Sequence, residues 1–263
     1  MKTRVLSGLI MLPLLVILYL GGYVLFGACL LIGIMGVWEF YNGFRKMGVH
    51  PNFLLACLAA VTLYIINLTT DKYEWYMLWF FGAVLLSLLY LFNIEHRKLE
   101  DAMATITGIF YVVFFSFHVT LVDQTGPYSL LVWLIVITAF GTDIMAYFSG
   151  YLLGKHKLCP KISPKKTIEG SVGGILGSVI LSGLFGYFFM PDILIHCLVI
   201  GLLGGIVSQF GDLTASIFKR KMGIKDYGNL IPGHGGILDR FDSVLFTGPM
   251  VYYYIVLVIG YMP

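Results

Sequence analysis

Apolar runs of membrane-spanning length recur along this chain of 263 residues, with little polar sequence between them. A helix crosses the hydrocarbon with about 20 apolar residues. Lipid offers no partner for unpaired backbone groups, so such runs must be helical. They lie near residues 5–21, 23–44, 53–69, 75–92, 102–122, 129–153, 172–190, 193–217 and 237–261. The expected fold is all-α, a polytopic integral membrane protein of about nine transmembrane helices. Composition removes the soluble alternative: 59% of residues are hydrophobic and only 12% charged, too little polar surface for a water-soluble domain of this length. A single membrane domain, 1–263, is expected, with 1–128 forming packing and dimer helices and 129–263 carrying the chemistry.

Charge sets the expected orientation. With the N-terminus in the cytoplasm, Lys2, Arg4, Arg45, Lys46, Arg97, Lys98 and the cations of segments 155–171 and 219–236 all fall inside, as does Arg240. Only Lys72 falls outside, a strong positive-inside bias. The opening MKTRVLSGLIMLPLLVILYL has the cations and apolar run of a secretory signal. It lacks an A-x-A cleavage site and a second apolar segment follows at once, so it reads as the first transmembrane helix. Cys29, Cys57, Cys159 and Cys197 show no CxxC or metal-ligand spacing and read as small buried hydrophobes. Gly173-xxx-Gly177 and Gly201-xxx-Gly205 permit close helix contact, read here as internal packing.

Ionisable groups within a bilayer cost roughly 2.5–3.5 kcal/mol each on insertion scales, so they mark function. Asp143 lies in the sixth span, Asp212 in the eighth, and Asp239, Arg240 and Asp242 open the ninth. On the eighth, Ser208, Asp212, Ser216 and Lys219 follow helical spacing as one polar stripe. On the ninth, Asp239, Asp242 and Ser243 are expected to share a face; on the sixth, Asp143, Tyr147 and Gly150 do so. Aspartates without cysteine, and with a single nearby histidine, suggest a hard cation such as Mg²⁺. Lys165, Lys166, Lys219, Arg220, Lys225 and Arg240 stand beside those carboxylates. Carboxylates, cations and glycines together suit phosphoryl or nucleotidyl transfer. Blander readings apply elsewhere. Lys155, Lys157 and Lys219–Lys221 also serve as positive-inside anchors, Glu39 reads as interfacial, and His118 and His196 read as packing histidines. SPKKTIEGS, framed by Pro164 and Gly170, reads as an ordered turn.

From Ser216-Ile-Phe-Lys219-Arg220 through Lys225-Asp226-Tyr-Gly228 to Ile231-Pro232-Gly-His234-Gly235-Gly236-Ile-Leu-Asp239-Arg240-Phe-Asp242, the chain resembles the phosphatidate cytidylyltransferases (CDP-diacylglycerol synthases). The resemblance extends to SPKKTIEGSVGG, to DxxAYxxG at Asp143–Gly150 and to the N-terminal K-x-R-x-x-S-G. Ala215 departs from it, standing where many members carry glutamate. The resemblance implies joining of CTP and phosphatidic acid to give CDP-diacylglycerol and pyrophosphate with Mg²⁺, in a homodimer in the cytoplasmic membrane, the active site facing the cytoplasm. A second cation such as K⁺ stays open, and no nucleic-acid partner is expected. By carry-over, Asp212 and Asp239 hold metal, and Asp226 and Asp242 complete or orient its shell. Lys219, Arg220, Arg240 and Lys225 grip phosphate oxygens, with Lys165, Lys166, Asp143, Gly235 and Gly236 also in the substrate site. His234 meets the triphosphate or pyrophosphate, and Ser216 holds phosphate or a ligand carboxylate.

Two rival readings suit part of the same pattern. An anion transporter would suit intramembrane aspartates, but no duplicated halves are visible and the polar set lies at one face. A CDP-alcohol phosphotransferase would also place aspartates on membrane helices, but its DG-xx-AR start is missing.

Overall fold

The computed structural model describes residues 13–230 and 235–261. Among them, six helices are long and apolar enough to cross a membrane: Gly22–Arg45, Tyr73–Phe92, Leu99–Asp123, Gly126–Leu153, Ile168–Phe189 and Pro191–Lys221. Phe53–Thr69 and Val244–Ile259 are shorter apolar helices. The chain is thus an all-α polytopic membrane protein. The span expected at 5–21 lies partly outside the described residues, of which 13–20 are helical. The chain divides into two compact units, residues 1–117 with 221–240 and residues 118–220 with 241–263. The segment from Lys221 to Arg240 therefore groups with the N-terminal helices rather than with its neighbours in sequence.

In the first unit, α1 (Gly22–Arg45), α2 (Phe53–Thr69), α3 (Tyr73–Leu89) and the start of α4 (Leu99–Asp123) pack around buried Phe40, Tyr41, Leu63 and Ile109. Close approach decides one position: a Cβ at Gly108 would enter the Tyr41 ring. The Tyr41 hydroxyl instead crosses to donate to the Thr105 carbonyl at 2.7 Å. Polar side chains bind the helix ends where lipid or apolar neighbours could not. Asp101 accepts from the His50 and Lys98 amides at 2.6 and 2.9 Å. The Asn52 amide reaches Thr105 Oγ1 at 2.8 Å while its side chain caps α2 through the Leu55 amide.

The second unit contains α5 (Val132–Leu153), α6 (Ile168–Phe189), α7 (Leu194–Lys221, of which it takes all but the last residue) and α8 (Val244–Ile259). Small residues bring α6 against both neighbours. Gly173 and Gly177 lie on Ser149 and Met145 of α5, and Gly201 and Gly205 lie on Ser182 and Ser178 of α6. The Ser178 hydroxyl donates to the Gly201 carbonyl at 2.8 Å. Both Gly-xxx-Gly pairs thus serve internal packing, as expected. His118 is buried with its ring against Tyr252 and Tyr253, and His196 meets the Tyr254 hydroxyl at 3.0 Å. All four cysteines are free thiols.

Between α5 and α6 the expected turn is an antiparallel hairpin, β1 (Lys157–Cys159) with β2 (Ser163–Thr167), Lys157 opposite Thr167 and Cys159 opposite Ser163. Thr167 then caps α6 by accepting from the Gly170 amide at 3.1 Å. The ninth span also differs from expectation. Leu238–Phe241 is a single helical turn, and α8 begins only at Val244. At the break the Ser243 amide donates to Asp242 Oδ1 at 2.8 Å, a local side-chain bond that competes with the helical one.

Candidate functional site

The predicted residues fall into two groups, one in each unit. In the second unit, the hairpin delivers Lys165 and Lys166. Glu169, in the first turn of α6, holds its base by accepting from the Lys155 amide at 3.0 Å, the His156 amide at 3.1 Å and His156 Nδ1 at 2.6 Å. The hairpin tip is touched from α7, where Arg220 Nε donates to the Ile162 carbonyl at 3.4 Å. Lys166 Nζ forms an ion pair with Asp212 Oδ2, both side chains about a quarter exposed.

One turn N-terminal to Asp212, Gln209 exchanges hydrogen bonds with Ser171: it accepts from the serine hydroxyl and donates to the serine carbonyl at 3.1 Å. Asp143, Tyr147, Lys165, Lys166, Ser171 and Gln209 line a cavity of about 490 Å³. Asp242, 5% exposed, is within electrostatic reach of Asp212, Lys219 and Asp143. Lys219 is buried on α7, and Ser216, one turn beyond Asp212, is half-buried. Ser208 and Ser243 are buried with hydroxyls that make no hydrogen bond. Such orphaned groups carry a desolvation penalty unless a ligand meets them.

In the first unit, the segment 225–240 is organised by two carboxylates. Asp239 Oδ2 accepts from the Tyr227 amide at 2.8 Å and the Gly236 amide at 2.9 Å. Glu39 accepts from the Ile237 amide at 3.0 Å and the Leu238 amide at 2.8 Å. Gly235 adopts φ +85°, where a Cβ would strain the backbone and press on the Asp239 carboxyl. Lys225 and Asp226 are exposed, and Arg240 is half-buried with its Nε buried and without a hydrogen bond. His234 lies outside the described residues.

The structure thus brings together Asp143, Lys165, Lys166, Asp212, Lys219 and Asp242 in one unit, and Gly235, Gly236 and Asp239 in the other. Sequence reading missed three residues. Glu39, read only as interfacial, is 2% exposed and bonded to the segment. Its one sequence signal was an acid set within an apolar helix, GIMGVWEFYNGF. Gln209 and Glu169 gave no signal, because a polar residue beside a charged stripe or in a first helical turn is commonplace.

Among the described residues, no group of three or more His, Cys, Asp or Glu side chains forms a metal-holding cluster. The oxygens that do gather in the second unit are hard donors: the Asp212, Asp143 and Asp242 carboxylates, with the unpartnered Ser208 and Ser243 hydroxyls in the same unit. That set fits Mg²⁺, which binds through one or two carboxylates, waters and substrate phosphates rather than an all-protein cage.

The sequence pattern described as the Cytidylyltransferase family matches residues 2–258. The chain is similar to a phosphatidate cytidylyltransferase of Synechocystis, 35% identical over 92% of each chain. It is similar to one of Staphylococcus epidermidis, 35% identical over 95% of this chain and 97% of the relative. A third, from Bacillus subtilis, is 41% identical over 66% of each.

Proposed function

The chain belongs to the cytidylyltransferase family and is a nucleotidyltransferase, and from that premise we propose that it joins CTP to phosphatidic acid, giving CDP-diacylglycerol and pyrophosphate. The observation that carries this reading is the ion pair of Asp212 with Lys166, which lines a cavity together with Asp143 and Lys165, with Asp242 in electrostatic reach of Asp212 and Lys219. The lipid phosphate is anionic at neutral pH and needs little general-base help. Its oxygen attacks the α-phosphorus of CTP, the α–β bridging P–O bond breaks, and pyrophosphate leaves with that electron pair. The obstacle is the mutual repulsion of two polyanions, so positioning and charge neutralisation dominate catalysis.

The protein's own groups answer that obstacle. Lys166 can leave Asp212 for a phosphate oxygen, because an ammonium on a flexible stem exchanges partners at small geometric cost. Lys165, Lys219 and Arg220 add positive charge in the same unit, and Lys225 and Arg240 do so on the 225–240 segment. Asp212 would hold Mg²⁺, with Asp242 and Asp143 orienting its shell. The metal role that the resemblance gives Asp239 is proposed alongside its hold on the segment amides. When bound, the ion neutralises phosphate charge and aligns the reacting oxygens. The nine-span topology, cytoplasmic N-terminus, cytoplasm-facing site and homodimer are proposed on the same footing, from the distribution of cations and the resemblance.

Purified protein incubated with CTP, phosphatidate and Mg²⁺ is expected to release pyrophosphate and form CDP-diacylglycerol, detected by mass spectrometry. Absence of both products from folded protein would sink the reading, and would return the transporter and phosphotransferase alternatives. A cysteine replacing exposed Lys161 is expected to be alkylated only from the cytoplasmic side of intact cells; labelling from outside inverts the topology.

A further inference from the structure

We infer that Glu39, on α1, is a positioning residue for the segment that carries Asp239 and Arg240. The inference rests on the proposed cytidylyl transfer. Glu39 is 2% exposed, and among the described residues no cation forms an ion pair with it. A buried carboxylate in that setting is strongly unfavourable unless N–H groups replace its water. Here they do: Ile237 and Leu238 each donate to one of its two oxygens. Those amides open the Leu238–Phe241 turn, where helix geometry leaves N–H groups without partners. The cap that satisfies them comes from 199 residues earlier in the chain.

Two glycines of the segment are shaped by the same carboxyl. A Cβ at Gly228 or Gly236 would collide with the Glu39 carboxyl group. These glycines therefore make room for Glu39. The neighbouring Asp239 lies within electrostatic reach and takes the Tyr227 and Gly236 amides. Between them the two carboxylates fix both flanks of the segment, Tyr227–Gly228 on one side and Gly236–Leu238 on the other. Glu39 thus sets where Asp239 and Arg240 stand without touching substrate itself.

Glu39→Gln keeps the size but turns one acceptor into an amide N–H₂ facing another N–H. Its turnover number is expected to fall about 10- to 100-fold, with KM for CTP and phosphatidate moving less than about threefold. Glu39→Asp, which keeps both acceptors, should recover part of that loss. A cysteine replacing exposed Asn229 should be alkylated faster in the Glu39→Gln background, while one replacing Lys72 should react at its original rate. Gly228→Ala should impair the wild-type background but add little to Glu39→Ala, where the methyl has space. Wild-type turnover in Glu39→Gln overturns the inference, as does faster labelling at Asn229 and Lys72 alike, which reports general unfolding. If the unmutated protein makes no CDP-diacylglycerol, the proposed reaction fails, and the Asn229 labelling still decides whether Glu39 holds the segment.

Discussion

Asp212 and Asp239 are the same residue type, each set in apolar helical sequence, yet the structure ties one to a mobile side chain and the other to the backbone of its own segment. Asp212 is met by a side chain, the Lys166 ammonium on a β-hairpin, and a quarter of its own side chain is exposed. Asp239 is met by backbone, the Tyr227 and Gly236 amides, and is 8% exposed. A side-chain partner can leave; a backbone partner moves only with its chain segment. On the proposed reading Asp212 exchanges its cation for a ligand, whereas Asp239 also holds the fold of its segment. The hairpin and the 225–240 segment repeat the contrast. A glutamate anchors each, but Glu169 does so at the surface and Glu39 in the interior.

The sharpest way to break this comparison is to neutralise each aspartate. Asp212→Asn and Asp239→Asn are each expected to lower CTP-dependent turnover by about 10³-fold or more, since each removes a carboxylate to which the proposal gives a metal role. They should part company in stability. Asp239→Asn weakens two charge-assisted backbone bonds at roughly 1.5–3 kcal/mol for a hydrogen bond to a charged group, so its unfolding temperature in detergent should drop. Asp212→Asn should leave it near the original. Equal losses of stability would dissolve the distinction between ligand-exchanging and shape-holding carboxylates, and near-normal turnover in Asp212→Asn would remove its metal role.

A smaller effect tests the exchange itself. Lys166→Ala should raise KM for the phosphate-bearing substrates about 10- to 100-fold, and Lys166→Arg should retain more activity because it keeps the charge. Unchanged KM values in Lys166→Ala would leave the ion pair a structural tie. The smallest effect concerns the hairpin's base. Glu169→Gln should cut kcat/KM only about two- to fivefold, because solvent screens its contacts. A loss as large as that of Glu39→Gln would show that the surface anchor matters as much as the buried one.

Much of this was legible in sequence because bilayer physics leaves few choices. Each expected span from 23–44 onward has a helix in the structure, since long apolar runs admit no other backbone pairing. Asp143, Asp212 and Asp242 stood out because charge within apolar sequence has few bland explanations, and the structure brings Asp143 and Asp212 within electrostatic reach of Asp242. Glu39 obeyed the same rule and was still missed. A lone acid six residues before Arg45 fits an interfacial position equally well, and nothing local says which backbone will meet it. The hairpin was missed because only three and five residues pair, too few for a period-2 pattern to stand out.

The sequence by itself determined the class: a polytopic helical membrane protein of the cytidylyltransferase family, with its ionisable groups in a handful of places. Hydropathy and residue type carry that information locally, one segment at a time. Only the tertiary structure decided the partners. It gave Lys166 to Asp212, the Tyr227 and Gly236 amides to Asp239, and the amides of Ile237 and Leu238 to a glutamate 198 and 199 residues away. The physical reason is range. Helix formation is read from neighbours along the chain, whereas a hydrogen bond needs atoms within about 3 Å, wherever in the chain they come from.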